Sequence, residues 1–181
     1  MRVISGIARG RKLESPIGSK VRPTTDRIKE SLFNMLSADL PDCSFLDLFS
    51  GTGAIGIEAL SRSAKRAVFV DDDVESCDII KRNLEHTKLV DKAELIKSDA
   101  VRAVRKLKGR RFDIIFLDPP YEKGLVELCL NEIFQVGILS ADGYVVCEQS
   151  STETIPELES YELIKKKKYK TTTMLFFVEV H

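Results

Sequence analysis

Residues 45–56 read Phe45-Leu46-Asp47-Leu48-Phe49-Ser50-Gly51-Thr52-Gly53-Ala54-Ile55-Gly56. Phe45 to Phe49 is an apolar run broken by one acid, Asp47, and reads as a buried strand. Three glycines follow at Gly51, Gly53 and Gly56. Ala54, Ile55, Ile57, Ala59 and Leu60 then suit a helix. Glycine permits positive φ and lets a ligand approach the backbone closely. A helix start adds unpaired N–H groups. Strand, tight turn and helix start together predict a nucleotide-sized cradle.

The glycine pattern leaves the cofactor open, because NAD, FAD and S-adenosylmethionine all use such turns. Working outward, Arg66 to Val70 reads as a second strand ending in Asp71-Asp72-Asp73. Residues 74–87 read as a helix, and Ala93 to Lys97 as a third strand ending at Ser98-Asp99-Ala100. Residues 100–108 suit a short basic helix. Phe112 to Leu117 is a fourth strand, ending in Asp118-Pro119-Pro120-Tyr121. A helix through Leu125, Leu128, Cys129, Ile133 and Phe134 precedes a fifth strand, Gly143 to Glu148. Two β runs, Glu162 to Tyr169 and Thr172 to Val180, close the chain. The alternation predicts an open, mostly parallel α/β sheet with one antiparallel strand in a terminal hairpin.

Upstream, residues 1–15 predict a short hairpin carrying Arg2, Arg9, Arg11 and Lys12. Residues 16–23 read as a loop. Thr24 or Thr25 is expected to cap a helix bearing Ile28, Leu32, Phe33 and Leu36 on one face. Arg22, Arg27 and Lys29 lie on or near its start. The 181 residues suit one domain, with a basic hairpin and helix extension over 1–40 and a core over 41–181.

Net charge is zero but unevenly placed. Residues 1–29 hold eight Lys or Arg against two acids, a net of +6, and the remainder carries −6. A basic arm on an acidic body predicts an anionic partner for the arm. No apolar run is long enough to span a bilayer, and the N-terminus lacks the apolar segment of a signal peptide. Cys43, Cys77, Cys129 and Cys147 form no C-x-x-C pair and read as reduced, mostly buried residues of a cytoplasmic protein. His86 and His181 are isolated and suggest no metal.

In open α/β sheets, ligands bind outside the carboxyl ends of the strands. Asp71, Asp99 and Asp118 each sit just past such an end. Asp71 lies 20 residues after Gly51, a spacing that suits a carboxylate on ribose hydroxyls. Asp99 either faces an adenine amine or caps the next helix, and the two are compatible. Pro119 and Pro120 remove two N–H donors and fix φ, making a rigid bend. That bend aims acceptors into the cleft, where they can orient an exocyclic amine, while Tyr121 stacks on an extruded base.

Asp47-Leu-Phe-Ser-Gly-Thr-Gly53, Phe69-Val-Asp71 and Asp118-Pro-Pro-Tyr121 resemble the motifs of class I S-adenosylmethionine-dependent methyltransferases acting on amino groups of bases. Arg22-Pro-Thr-Thr-Asp-Arg-Ile-Lys-Glu-Ser-Leu-Phe-Asn34 narrows the resemblance. It is similar to the bacterial family that methylates guanine N2 in small-subunit (16S) ribosomal RNA, over almost the whole chain. The resemblance implies a Rossmann-like, seven-stranded sheet and S-adenosylmethionine as cofactor.

It also implies roles. Asp47, Gly51 and Gly53 would line the methionine portion of the cofactor, with Phe49 and Thr52 in the same binding set. Asp71 would hold the ribose, and Asp99 with Ala100 would face the adenine. Asp118, Pro119, Pro120 and Tyr121 would hold the target guanine. Arg22, Thr24, Thr25 and Arg27 would close the site or bind RNA, joined by the basic hairpin residues. The partner would be a partly or fully assembled small ribosomal subunit, and the enzyme a monomer. Two positions depart from the family pattern: Asp71 is often Glu, and Lys170 stands where Gly is common.

Three rivals remain at this level. An adenine-N6 methyltransferase on DNA or RNA needs the same amine acceptors. An NAD-dependent dehydrogenase would use the glycine turn and Asp71, but gives no reason for Asp118-Pro119-Pro120-Tyr121. A non-catalytic RNA-binding protein gives no reason for the cofactor motifs. Lys165 to Lys168 read either as an RNA-contacting strand or as a charged edge that discourages aggregation.

Overall fold

The computed structural model describes residues 1–16, 26–121 and 124–180. Arg22, Thr24 and Thr25 lie outside the described residues. The elements are α1 (Asp26–Leu36), β1 (Ser44–Leu48), α2 (Ala54–Ser61), β2 (Arg66–Asp71), α3 (Val74–Thr87), β3 (Ala93–Lys97), α4 (Ala100–Lys106), β4 (Phe112–Leu117), α5 (Leu125–Val136), β5 (Leu139–Ser150), β6 (Tyr161–Lys168) and β7 (Thr172–Glu179). A single 3₁₀ turn, Val90–Lys92, leads into β3.

The seven strands form one sheet in the order β3-β2-β1-β4-β5-β7-β6. The first five run parallel, and β7 is antiparallel to both neighbours. Sheet order reverses between β1 and β4, which opens a crevice at their carboxyl ends. This is the Rossmann-like, seven-stranded and mostly parallel sheet that the sequence leads one to expect. The fifth strand is longer than its sequence suggests: a register shift between Phe112 and Ile114 lets Leu139 join the ladder ahead of Gly143. The short helix α4 ends earlier than expected, at Lys106.

Successive strand side chains point to opposite faces, and two buried layers result. Phe45, Phe69, Ile114, Phe116 and Val146 pack on one face with α1, α2 and the N-terminal hairpin. Leu46, Val68, Ile115, Leu117 and Cys147 pack on the other with α4 and α5. The central strands are buried on both faces, so they read as continuous apolar runs. All four cysteines are free and buried. Among the described residues no helix is long and apolar enough to cross a membrane.

The N-terminal hairpin closes through an Arg2–Lys12 bridge. It is fastened to α2 at its far end. The amides of Ile4 and Ser5 both donate to Glu58, each at 2.9 Å. Glu58 is fully buried and also pairs with Lys29 of α1 at 3.1 Å and with Arg62 at 2.8 Å. Lys29 Nζ donates to the Arg2 carbonyl. One buried ion pair thus ties hairpin, α1 and α2 together.

The hydroxyl of Tyr169, just past β6, donates to Ser31 in α1. Tyr144, lower on β5, donates to Asp39 just past α1. These two bonds run α1 antiparallel to β5, so its first turn points toward the carboxyl edge of the sheet. At the other end of the chain, the turn 169–171 closes with the Tyr169 amide on the Thr172 carbonyl. Lys170 is not among the residues with positive φ, so a lysine is accommodated where the resemblance led one to expect glycine.

Candidate active site

The site begins with the end of β1. Phe49 and Gly51 take positive φ of 62° and 56°, which stops the strand and turns the chain into the glycine loop. A third glycine allows close packing: a Cβ on Gly56 would meet the Phe69 ring at 2.3 Å. Alternation puts Asp47 on the α2 face, beside this helix start. Its carboxylate accepts from the Gly56 amide at 3.0 Å, and its carbonyl accepts from the Ser50 hydroxyl. Asp47 is 1% exposed and lines neither cavity at the carboxyl edge. Its direct role in this structure is to anchor the glycine turn to α2.

Burial pushes the Asp47 carboxyl up to about 8, against the opposing Gly56 hydrogen bond, with nearby Asp71 adding to the rise. The folded chain therefore keeps a proton that the unfolded chain releases near 3.8. The contribution of Asp47 to stability therefore falls as pH rises through that window. Asp47→Asn is expected to flatten this fall. Urea midpoints for the two proteins should be close at about pH 4 and diverge in favour of the variant toward about pH 8. Parallel curves for the two proteins would show that Asp47 does not carry the effect.

Asp71, at the end of β2, accepts from the Gly51 amide at 2.7 Å and from the Asp73 amide at 3.0 Å. Desolvation raises its carboxyl against these two bonds. Asp73, not Asp71, caps α3, accepting from Ser76. Asp99 caps α4 through the Arg102 amide and pairs with the Arg102 side chain at 3.3 Å. Of its two expected roles, the cap is formed directly.

Phe49, Asp71, Asp99 and Ala100 converge on one cavity of about 310 Å³. Val70, Asp72, Ser98, Val101, Pro120 and, from α5, Leu125, Leu128 and Cys129 complete it. It combines carboxylates at one end with an apolar slot, which is the chemistry that ribose hydroxyls and a flat purine require. An adenosine moiety fits this set of carboxylate acceptors and apolar side chains. Thr52 is placed differently: its carbonyl accepts from Asn83, so it braces the loop from α3. The α5 wall was not singled out from sequence, because periodicity marks these residues as helical without saying which cavity they border.

A second, larger cavity of about 650 Å³ lies across Pro120. Pro119, Pro120 and Tyr121 line it, opposite Glu148, Gln149 and the 153–157 segment. Tyr121 is 42% exposed, so its ring is presented at the surface of the cavity. Asp118 is half-buried just behind. Burial first, then Glu148, then Asp47 push its carboxyl well above the ordinary range. Glu148 lines this cavity without being singled out by the sequence. In sequence it reads as one acid after the apolar run Val145-Val146-Cys147, and only the pairing of Leu117 with Cys147 sets it level with Asp118.

The basic residues divide. Arg2, Arg9 and Arg27 share a groove of about 320 Å³ with Asp26 and Glu30 at the start of α1. Arg2 pairs with Asp26 at 3.3 Å. Arg11 is drawn away, donating to the His86 carbonyl at the end of α3. Lys12 is exposed on the hairpin. The lysines of β6 are exposed along an edge strand, with Lys165 over the Phe176 ring.

Residues 1–178 match the family described as Conserved hypothetical protein 95. The chain is 41% identical over 159 residues to "Putative rRNA methyltransferase YlbH" of Bacillus subtilis, covering 87% of this chain and 86% of that one. It is 36% identical over 156 residues to "Ribosomal RNA small subunit methyltransferase D" of Escherichia coli, covering 86% and 78%. A solved structure described as "Putative methyltransferase yhhF from Escherichia coli" superposes with a TM-score of 0.88 at 33% identity, covering 99% of this chain and 97% of that one. The chain belongs to the Conserved hypothetical protein 95 family, the family of the small-subunit methyltransferase D proteins.

Proposed function

We propose that this protein transfers a methyl group from S-adenosylmethionine to the exocyclic N2 amine of a guanine in small-subunit ribosomal RNA. The observation that carries this reading is the adjacency of two cavities across Pro120. One suits an adenosine moiety, and the other is walled by Pro119, Pro120 and Tyr121, with Asp118 directly before them in the chain. The names of the relatives support rRNA as the substrate class.

S-adenosylmethionine supplies a methyl group on a positively charged sulfur, already activated for transfer. The protein's work is then positioning. Asp71 and Asp99 hold the nucleoside end, with Phe49, Ala100 and Leu125 around the purine. Gly51 and Gly53 leave room for the amino-acid end. Asp118 and the Pro119 carbonyl accept hydrogen bonds from the target amine, and Tyr121 stacks on the base. Phosphates of the RNA meet Arg2, Arg9 and Arg27, with Arg22, Thr24 and Thr25 close by in sequence. The chain acts as one domain in the cytoplasm, as a monomer, on a partly or fully assembled small subunit.

The test is transfer of labelled methyl to unmodified small subunits and to their naked rRNA, followed by nucleoside analysis. Label in N2-methylguanosine is the expected result. Label in N6-methyladenosine would replace the substrate, and absence of cofactor binding would overturn the reading of the glycine turn.

A further inference from the structure

Asp118 and Glu148 form an unusual pair. In the β4–β5 ladder Leu117 is the partner of Cys147, so the next residues on each strand are Asp118 and Glu148. Parallel neighbours lie about 4.8 Å apart, and the alternation aims both side chains to the same face. Glu148 is 5% exposed yet lines the cavity of Pro119, Pro120 and Tyr121. Glu148 is buried and Asp118 half-buried, so two carboxyls stand side by side and concentrate acceptor oxygens at this end of the cavity. Glu127, Glu153 and Glu157 around the same cavity add further negative charge. Such a wall repels phosphate. It favours a base edge made of N–H groups.

We propose that Glu148 is the residue that selects guanine. Its carboxylate accepts the N1–H and one N2–H of the base, while Asp118 accepts the other N2–H. This rests on the proposed reaction and deepens it. Guanine presents two adjacent donor groups, N1–H and N2–H₂. Adenine presents its amine beside N1, and cytosine its amine beside N3, each a bare acceptor. A carboxylate facing those acceptors is repelled. A site built around a substrate N–H rejects the analogue that lacks it, because a buried polar group is left unpaired.

The test uses 2-aminopurine, which keeps the 2-amine but has an acceptor at N1. It replaces the guanine mapped in the wild-type reaction, in whichever RNA or particle that reaction uses. Wild-type protein is expected to methylate it at least about 100-fold less efficiently than guanine. Glu148→Gln has an amide that donates to N1 and a carbonyl that accepts from N2. It is expected to reverse the preference, losing guanine turnover while gaining 2-aminopurine turnover.

Equal wild-type turnover of the two bases overturns the role of Glu148, as does a Glu148→Gln variant equally slow on both. If Glu148→Gln does not fold, judged by its melting and its S-adenosylmethionine binding, the wild-type comparison decides alone. A wild-type product other than N2-methylguanosine overturns the parent reading and this inference with it. Wild-type N2-methylguanosine with no discrimination overturns this inference only.

Discussion

Asp118→Ala is expected to lower methyl transfer by about 1,000-fold or more while leaving S-adenosylmethionine binding within a few-fold of wild type. Asp118 sits behind the two prolines, not within the lining of the adenosine-sized cavity. Its loss should therefore remove the acceptor that orients the amine and spare the cofactor. The effect belongs in kcat more than in KM, since the bond matters most when the amine is aimed at the methyl group.

Stability should move the other way. Asp118 is half-buried, and desolvation of its carboxyl first, then Glu148 and Asp47, raise it well above its ordinary range. Removing it relieves a desolvation cost, so the variant should melt no lower than wild type. Asp118→Asn retains an acceptor oxygen and should fall between the two in rate. Single-turnover transfer, cofactor titration and thermal melts together check this. Near-normal turnover in Asp118→Ala would sink the assignment of the bend as the amine-binding site.

The second large effect lies far from the chemistry. Glu58→Ala is expected to destabilise the fold by about 3–5 kcal/mol, a drop of roughly 10 °C in Tm for a chain of this size. Lys29 and Glu58 are both fully buried. Glu58 also accepts the Ile4 and Ser5 amides and the Arg62 guanidinium. Burial already pulls the Lys29 ammonium down, against the opposing pull of Glu58. Without Glu58 that cation has lost its partner inside the core, and two backbone donors lose their acceptor.

The double variant Lys29→Met/Glu58→Ala should recover part of the loss, since removing both charges costs less than stranding one. Denaturant melts of the two single variants and the double variant form the cycle that measures it. Additive losses would show that the ion pair is incidental to the hairpin's docking.

Much of this was legible in the chain. The strand–helix alternation, the glycine turn after β1 and the acids at strand ends are local signals. Strand period and turn chemistry depend on near neighbours, so the order of elements and the edge where the site lies follow from sequence. Asp118-Pro119-Pro120-Tyr121 is likewise local, because proline fixes φ wherever it stands. The three-residue turn at Lys170 also needed no glycine, since no left-handed residue is required there.

Other features depend on which strands become neighbours. Asp47 reads from its motif as lining the methionine portion of the cofactor; alternation sets it on the α2 face, where its carboxyl holds the Gly56 amide. Glu148 reads as one acid in an apolar run, and becomes a site residue only because β5 lies beside β4. Lys29 reads as a surface lysine on a basic helix, and is buried because Glu58 waits beneath it. Arg11 reads like Arg2 and Arg9, yet the hairpin's docking carries it to the end of α3. In each case the deciding contact is to a residue at least nine positions away, and only tertiary packing brings it within hydrogen-bonding or charge range.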